Sequence, residues 1–362
     1  MIDLKIGNIE EYLKRAFGDD AVLLGAGDIG NLDEQGMKGF GYGKPLLIRF
    51  RVGGENKEAV LSVMKGDKYG HQFYWDRAAI LMFQYETSAR MEKHVRPIGL
   101  GYVDAGDRLV PVDEPKEFFI LNEKLEGHDY FLDLERIRSG DFRESDTDTA
   151  REFALWLARV HSVKHDDAHL YYRRIRNLLG SSECILGLID EAYVHPYAYC
   201  LPDVFIRIEK RLIDWRWKLK EYAHRLSAVH GDFHPWNVLV DHTGRFSVLD
   251  RSRGEWGEPG GDLATMAVNY LLWSLYEHDG LSGEYETLYR TYFQTYLEAT
   301  GDAEVLEVMA PFLVFRGLVI ASPEWYPDHP ESVRKRLHNL MVNVLKDDVF
   351  DWENINKYME PL

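Results

Sequence analysis

Cysteine is nearly absent from the chain: Cys184 and Cys200 are the only two. Two thiols make no disulfide framework, and neither sits in a CxxC pair, which argues against a disulfide-held scaffold, a zinc ribbon and a redox motif. Long apolar runs are missing as well. Spanning a bilayer takes roughly 20 consecutive apolar residues, and the longest candidate, APFLVFRGLVIA, is cut by Arg316. Positive charge is scarce: 43 Lys and Arg stand against 60 Asp and Glu, for a net charge of −17. Nucleic-acid binding depends on a basic surface, so neither nucleic acid nor membrane is an expected partner. The start, MIDLKIGNIEEYLKRAF, mixes acids into an amphipathic pattern and lacks the basic head and apolar block of a signal peptide. A reducing cytoplasm is the expected location.

What is present is a globular composition of 45% hydrophobic and 28% charged residues over 362 positions, long enough for two lobes. The first third reads as strands. PLLIRFRV (45–52) and EAVLSVMK (58–65) flank VGGENKE, a hairpin-turn signal. WDRAAILMFQYETSARMEKH (75–94) then has helical spacing, with Asp76, Ala79, Phe83, Glu86 and Arg90 on one side. A second strand pair, RPIGLGYV and EFFILNEKL, leads into NEKLEGH (122–128), which has the composition of a hinge. Beyond it the chain turns helical, first at DTDTAREFALWLARVHSV (146–163), then at 203–228, 262–278 and through the C-terminal region. The expected organisation is a small β-rich lobe (1–121), a connector (122–128) and a large, mainly α-helical lobe (129–362).

The stretch VHGDFHPWNVLV (229–240) concentrates His230, Asp232, His234 and Asn237 between apolar flanks. A turn, DHTG, and a second apolar run, RFSVLD, follow and end in Asp250. Two short strands in a hairpin would bring Asn237 and Asp250 to one end, beside Asp232. That set suits phosphoryl transfer, which needs positioning, a cation on the phosphates and a carboxylate to orient the attacking hydroxyl. Magnesium takes hard oxygen ligands and keeps several waters, so Asn237 and Asp250 suffice as protein ligands, with Asp232 as the base. The Asp-to-Asn spacing equals that of the protein-kinase catalytic loop.

With His230-Gly231-Asp232, then Asn237, then an apolar strand ending in Asp250, the chain resembles the aminoglycoside phosphotransferase and choline kinase superfamily. LWLARVHSV (155–163) and Glu258-Pro-Gly-Gly-Asp262-Leu-Ala add to the likeness, which covers residues 35–330. It implies an α+β, protein-kinase-like two-lobe fold and a kinase that moves the γ-phosphate of ATP or GTP, with Mg2+, onto a hydroxyl of a small acceptor. Such a lobe needs a glycine turn, a strand, a turn, a strand and a lysine. GAGDIG (25–30) matches GxGxxG literally, but no βαβ unit follows it. KGFGYGKP (38–45) leads straight into a strand, so Gly39, Gly41 and Gly43 are the expected phosphate loop and Lys65 the phosphate lysine. Glu86 is the preferred acidic partner of Lys65, with Asp76 as the alternative that could instead serve the helix N-terminus. Backbone groups of Asn122, Glu123 and Leu125 would face a purine.

Gly231 stands where protein kinases often carry arginine, D-F-G is replaced by Asp250-Arg251-Ser252, and Asp262 follows too soon for an activation segment. A small-molecule acceptor is therefore expected, its identity and the oligomeric state left open. Asp262 is read as a brace for the loop or a helix cap, and Arg253 as either a phosphate contact or the partner of an acid. Two other readings stand beside the kinase. One is a nucleotide-binding regulator without catalysis. The other is a metal-dependent hydrolase built on His230, Asp232 and His234.

Overall fold

A computed structural model describes residues 6–28, 46–88, 95–112, 122–193 and 202–362. The chain divides into two compact units, Met1–Asn122 and Glu123–Leu362. The architecture is α+β: short antiparallel sheets with helices in the first unit, and mainly helix in the second.

In the first unit, helix α1 (Ile6–Phe17) precedes a three-stranded antiparallel meander of β1 (Val22–Asp28), β2 (Leu46–Val52) and β3 (Glu55–Leu61). Alternation along β2 turns Ile48 and Phe50 into a small core with Ile9 and Leu13 of α1. Arg49 and Arg51 point outward and reach across to Glu58 and Asn56. Val52 pairs with Glu55, so the β2–β3 loop is only Gly53 and Gly54, both left-handed at φ +57° and +80°. A two-residue loop of this kind requires positive φ at both positions. The tight turn starts β3 at residue 55 rather than 58. Lys65 therefore lies beyond the strand's end, not at it, and its side chain is exposed.

Gly25 and Gly27 of the literal GxGxxG lie within β1, paired antiparallel to β2, which is no dinucleotide-binding turn. Helix α2 (Tyr74–Ser88) carries Asp76 in its first turn, and Asp76 Oδ2 accepts the Phe73 N–H at 3.0 Å. A short ladder of β4 (Gly101–Val103) and β5 (Leu109–Pro111) completes the described part of this unit. Gly39, Gly41 and Gly43 lie outside the described residues, as does most of the expected strand at 117–125.

The second unit opens with β6 (His128–Asp129), α3 (Tyr130–Arg138), α4 (Glu144–His161), α5 (Ala168–Gly180), α6 (Ile185–Glu191) and α7 (Pro202–Leu219). Helix α4 buries Ala150, Phe153, Ala154, Leu157, Ala158 and His161, the single stripe its apolar spacing requires. Four short strands follow: β7 (Ser227–Ala228), β8 (Val238–Val240), β9 (Phe246–Val248) and β10 (Trp256–Gly257). β8 and β9 form an antiparallel hairpin joined to β6, and β7 pairs with β10. Then come α8 (Pro259–Leu275), α9 (Gly283–Thr300), α10 (Ala310–Ala321) and α11 (Glu331–Val344). Helix α8 is buried almost all round, as its sequence, apolar on every face, demands. Among the described residues no helix is long and apolar enough to cross a membrane.

The start of α8 is fixed by charge. Glu258 accepts the Gly260 N–H, receives Arg225 through Nε and Nη2 at 2.9–3.1 Å, and takes the Tyr171 hydroxyl at 2.9 Å. Arg225 also binds Asp302 and Glu304. Only 3% of Arg225 and 4% of Glu258 is exposed, so both charges have left water and depend on these partners. Arg225→Ala should lower stability by about 3–5 kcal/mol, read as a fall in the urea midpoint with an unchanged slope.

Candidate active site

Two loops of the second unit lie side by side. One runs from β7 to β8 and carries His230, Gly231, Asp232, His234 and Asn237; the other runs from β9 to β10 and carries Asp250, Arg251 and Arg253. The Val229 N–H donates to Glu255 O at 3.1 Å, and Arg251 Nη2 donates to Val229 O at 3.1 Å. At the hairpin end, the Leu249 N–H donates to Asn237 O at 2.9 Å. The β8–β9 hairpin thus brings Asn237 and Asp250 to one end, and the Asn237 Nδ2–H to Asp232 O bond, 3.1 Å, ties Asp232 to the same corner.

Asp262, in the first turn of α8 and 1% exposed, shapes the first loop. Its Oδ2 accepts the His230 N–H at 2.7 Å and its Oδ1 the Gly231 N–H at 2.8 Å. His161 Nε2 stands 3.2 Å from Oδ2, and His161 Nδ1 pairs with the Tyr296 hydroxyl. Gly231 has φ +95°, and a Cβ there would lie 3.0 Å from the Arg253 carbonyl carbon. Both the conformation and the contact require glycine.

Asp232 is 9% exposed and faces three basic side chains: Arg316 Nη1 at 3.4 Å, Arg253 Nε at 3.5 Å and His234 Nε2 at 3.6 Å. Burial pushes its carboxyl pKa up, but His234, Arg316 and Arg253 outweigh that and hold it at about 2. Burial pushes His234 the other way, below the usual imidazole range, against the pull of Asp232. Asp250 has φ +52°, left-handed for a residue with a Cβ, and is exposed; its Oδ1 accepts the Ser252 N–H at 3.0 Å. Two cavities adjoin. One of about 440 Å³ is walled by Asp232, Arg316, Trp236, Trp325 and Tyr326. The other, about 460 Å³, includes Arg174, Glu183, Cys184 and Phe315. Arg253 lines both.

The donor set at this corner fits a hard cation. With the Asn237 amide nitrogen engaged, its carbonyl oxygen is the atom left for a ligand, and Asp250, at the same end of the hairpin, offers an exposed carboxylate. His230, Asp232 and His234 are a poor transition-metal site. Both histidines accept a backbone N–H at Nδ1, from Asp232 and Trp236. Among the described residues no group of three His, Cys, Asp or Glu side chains converges on a metal position. His161 and His165 do not pair either; His165 stacks on Trp256.

A model of the phosphotransferase enzyme family matches residues 94–308, more than half of the chain and inclusive of both loops. The chain belongs to that family. The resemblance read in the HGD-to-Asp250 motif holds, and the coarse activity, phosphotransfer, follows from it. Three solved structures are similar at low identity. An ethanolamine kinase of Plasmodium vivax is 13% identical, covers 87% of this chain and 78% of its own, and has a TM-score of 0.34. The choline kinase LicA of Streptococcus pneumoniae is 14% identical, with 93% and 97% covered and a TM-score of 0.34. A type I macrolide 2′-phosphotransferase is 15% identical, with 87% and 89% covered and a TM-score of 0.33. No curated protein matches this phosphotransferase.

The remaining sequence expectations fall in the first unit or at its end. Lys65 is exposed and makes no ion pair among the described residues, so the expected pairing with Glu86 is not made. Glu86 lies on an exposed face of α2, and Asp76 serves the helix start. Asn122 and Glu123 are exposed and Leu125 half-buried, in a coil that spans the boundary of the two units. Arg316 was missed as a site residue. Its signal was visible: one arginine inside APFLVFRGLVIA, where a helix this apolar tolerates a guanidinium only with a partner.

Two expectations follow. Gly231→Ala should destabilise the protein by about 1–2 kcal/mol from the left-handed backbone alone, more with the clash, measured by chemical unfolding. A carboxyl held at about 2 contributes stability that is complete above the ordinary aspartate value and is lost as pH falls from there through 2. The stability gap between wild type and Asp232→Asn should therefore narrow between about pH 4 and pH 2 and stay constant above it.

Proposed function

We propose that the protein is a small-molecule kinase that transfers the γ-phosphate of ATP or GTP to a hydroxyl of a small acceptor. The observation that carries this reading is the gathering of Asp232, Asn237 and Asp250 on two tied loops, with Asp232 opening into a cavity of about 440 Å³.

Asp232 aligns the acceptor hydroxyl. The acceptor oxygen forms the new bond to the γ-phosphorus as the bond to the β–γ bridging oxygen breaks, and the nucleoside diphosphate departs. The acceptor proton passes to Asp232. A carboxylate with a pKa near 2 is a weak base, so its main work is orientation and the proton moves late. Asn237 and Asp250 would hold Mg2+, which neutralises phosphate charge when bound. Gly39, Gly41, Gly43 and Lys65 are proposed to serve the nucleotide phosphates, and Asn122, Glu123 and Leu125 the base. Glu86 keeps a proposed supporting role toward Lys65 only if nucleotide binding draws the two together.

Asp232→Asn should keep stabilisation by magnesium nucleotide in a thermal-shift assay yet lower phosphate transfer by about 100-fold or more. Asp250→Asn should instead lose most of the magnesium-dependent shift. Equal, mild effects of both would overturn the assigned roles. Nucleotide binding with no ADP or GDP release across a broad panel of hydroxyl compounds would favour the regulator. Because Asp232 is ionised throughout the neutral range, it should add no limb to the pH–rate profile between about pH 5 and 8.

A further inference from the structure

Arg316 stands in the middle of the apolar helix α10, 4% exposed, with a guanidinium of five N–H donors. Its hydrogen bond to Asp232 is long, 3.4 Å, and Nε has no hydrogen-bond partner among the described residues. Charge-assisted bonds of this kind are normally about 2.7–2.9 Å, so Asp232 neither saturates nor grips it. A buried cation left with spare donors is costly unless something else supplies acceptors.

The charged lining of the cavity beside it is Arg316, Arg253 and Asp232, two cations against one anion. Arg253 Nε stands 3.5 Å from Asp232, while its Nη1 donates to Glu183 O at 3.1 Å and its Nη2 lies 3.8 Å from the exposed Glu183 carboxylate outside this cavity. His234 adds no fixed negative charge. The rest of the wall is Trp236, Trp325, Tyr326 and Val319. A cationic acceptor would meet two guanidinium groups and, among the residues lining this cavity, the single carboxylate of Asp232. A neutral acceptor would offer Arg316 hydroxyl oxygens as acceptors but no charge to match its own.

We propose that the acceptor carries its own anionic oxygen group, a carboxylate or phosphate, beside the hydroxyl that is phosphorylated, and that Arg316 and Arg253 bind that group. The aromatic wall holds the carbon skeleton between the anion and the hydroxyl presented to Asp232. This rests on the kinase reading above, and names the substrate class of that same site. Asp232 then has two functions: it aligns the hydroxyl, and it offsets the repulsion between the two guanidinium groups until the acceptor arrives.

The test uses the full chain with magnesium nucleotide and matched acceptors: glycerate, glycerol and 3-amino-1,2-propanediol, and gluconate, glucose and glucosamine. ADP or GDP release and thermal shift are both read. The anionic member of a series should be preferred over its neutral and aminated counterparts. Arg316→Gln should raise its KM by about 10- to 100-fold with the nucleotide-induced shift intact. Arg253→Gln, at a half-buried position, should act in the same direction and covers the case in which the Arg316 variant does not fold.

Inorganic phosphate and malate, added without nucleotide, should stabilise the wild type saturably and the Arg316 variant far less. Preference for the neutral or aminated compounds overturns the proposal. So does a fall in kcat that is equal for all acceptors with KM unmoved, since that places the arginines on the transferred phosphate. Arginine-dependent anion binding in a protein that shows no magnesium-nucleotide shift would sink the kinase reading and leave the anion site standing.

Discussion

The geometry of the site depends on one buried carboxylate. Asp262 accepts the N–H groups of both His230 and Gly231, two successive donors that a loop turning away from β7 would otherwise leave unsatisfied in the interior. It does so from the first turn of α8, where the helix dipole favours a negative charge. His161 approaches the same oxygen that holds His230, and Tyr296 orients His161 from α9. The loop that carries Asp232 is therefore registered against a helix buried almost all round. The N-cap of that helix is in turn fixed by the Glu258–Arg225 cluster.

The charge balance around Asp232 follows from this placement. Removing a carboxylate from water raises its pKa, and two guanidinium groups and an imidazole reverse the effect. None of the three approaches closely enough for a short ion pair. The carboxylate is thus kept ionised without being locked, a compromise between electrostatic stabilisation and freedom to meet a ligand. Arg316 bears the larger desolvation penalty, since it projects from a helix otherwise built of apolar residues.

What the sequence revealed tracks how local the determining physics is. Helix α4 was readable because its buried residues recur at helical spacing, and β2 because Ile48 and Phe50 alternate with Arg49 and Arg51. The expectation that Asn237 and Asp250 share one end rests on a hairpin, and β8 and β9 form one, with Asp232 tied to Asn237 by a single hydrogen bond. The apolar pattern of EAVLSVMK starts a strand three residues later than β3, whose register Gly53 and Gly54 set, because a two-residue turn outranks that pattern. The approach of Arg316 to Asp232 joins positions 84 apart, and no periodicity carries that information. GAGDIG shows the converse: its glycine spacing matched a motif whose strand-turn-helix setting is missing, and Gly25 and Gly27 lie in an ordinary antiparallel strand.

The left-handed backbone at Asp250 has an evolutionary corollary. At φ +52° only glycine, asparagine and aspartate are conformationally cheap. Two of those three carry a side-chain oxygen, and only one carries charge. The backbone thereby narrows the set of residues that fit this position without strain, and asparagine and aspartate are the members that carry a side-chain oxygen. The main chain itself acts as a filter on which side chains the position can sample.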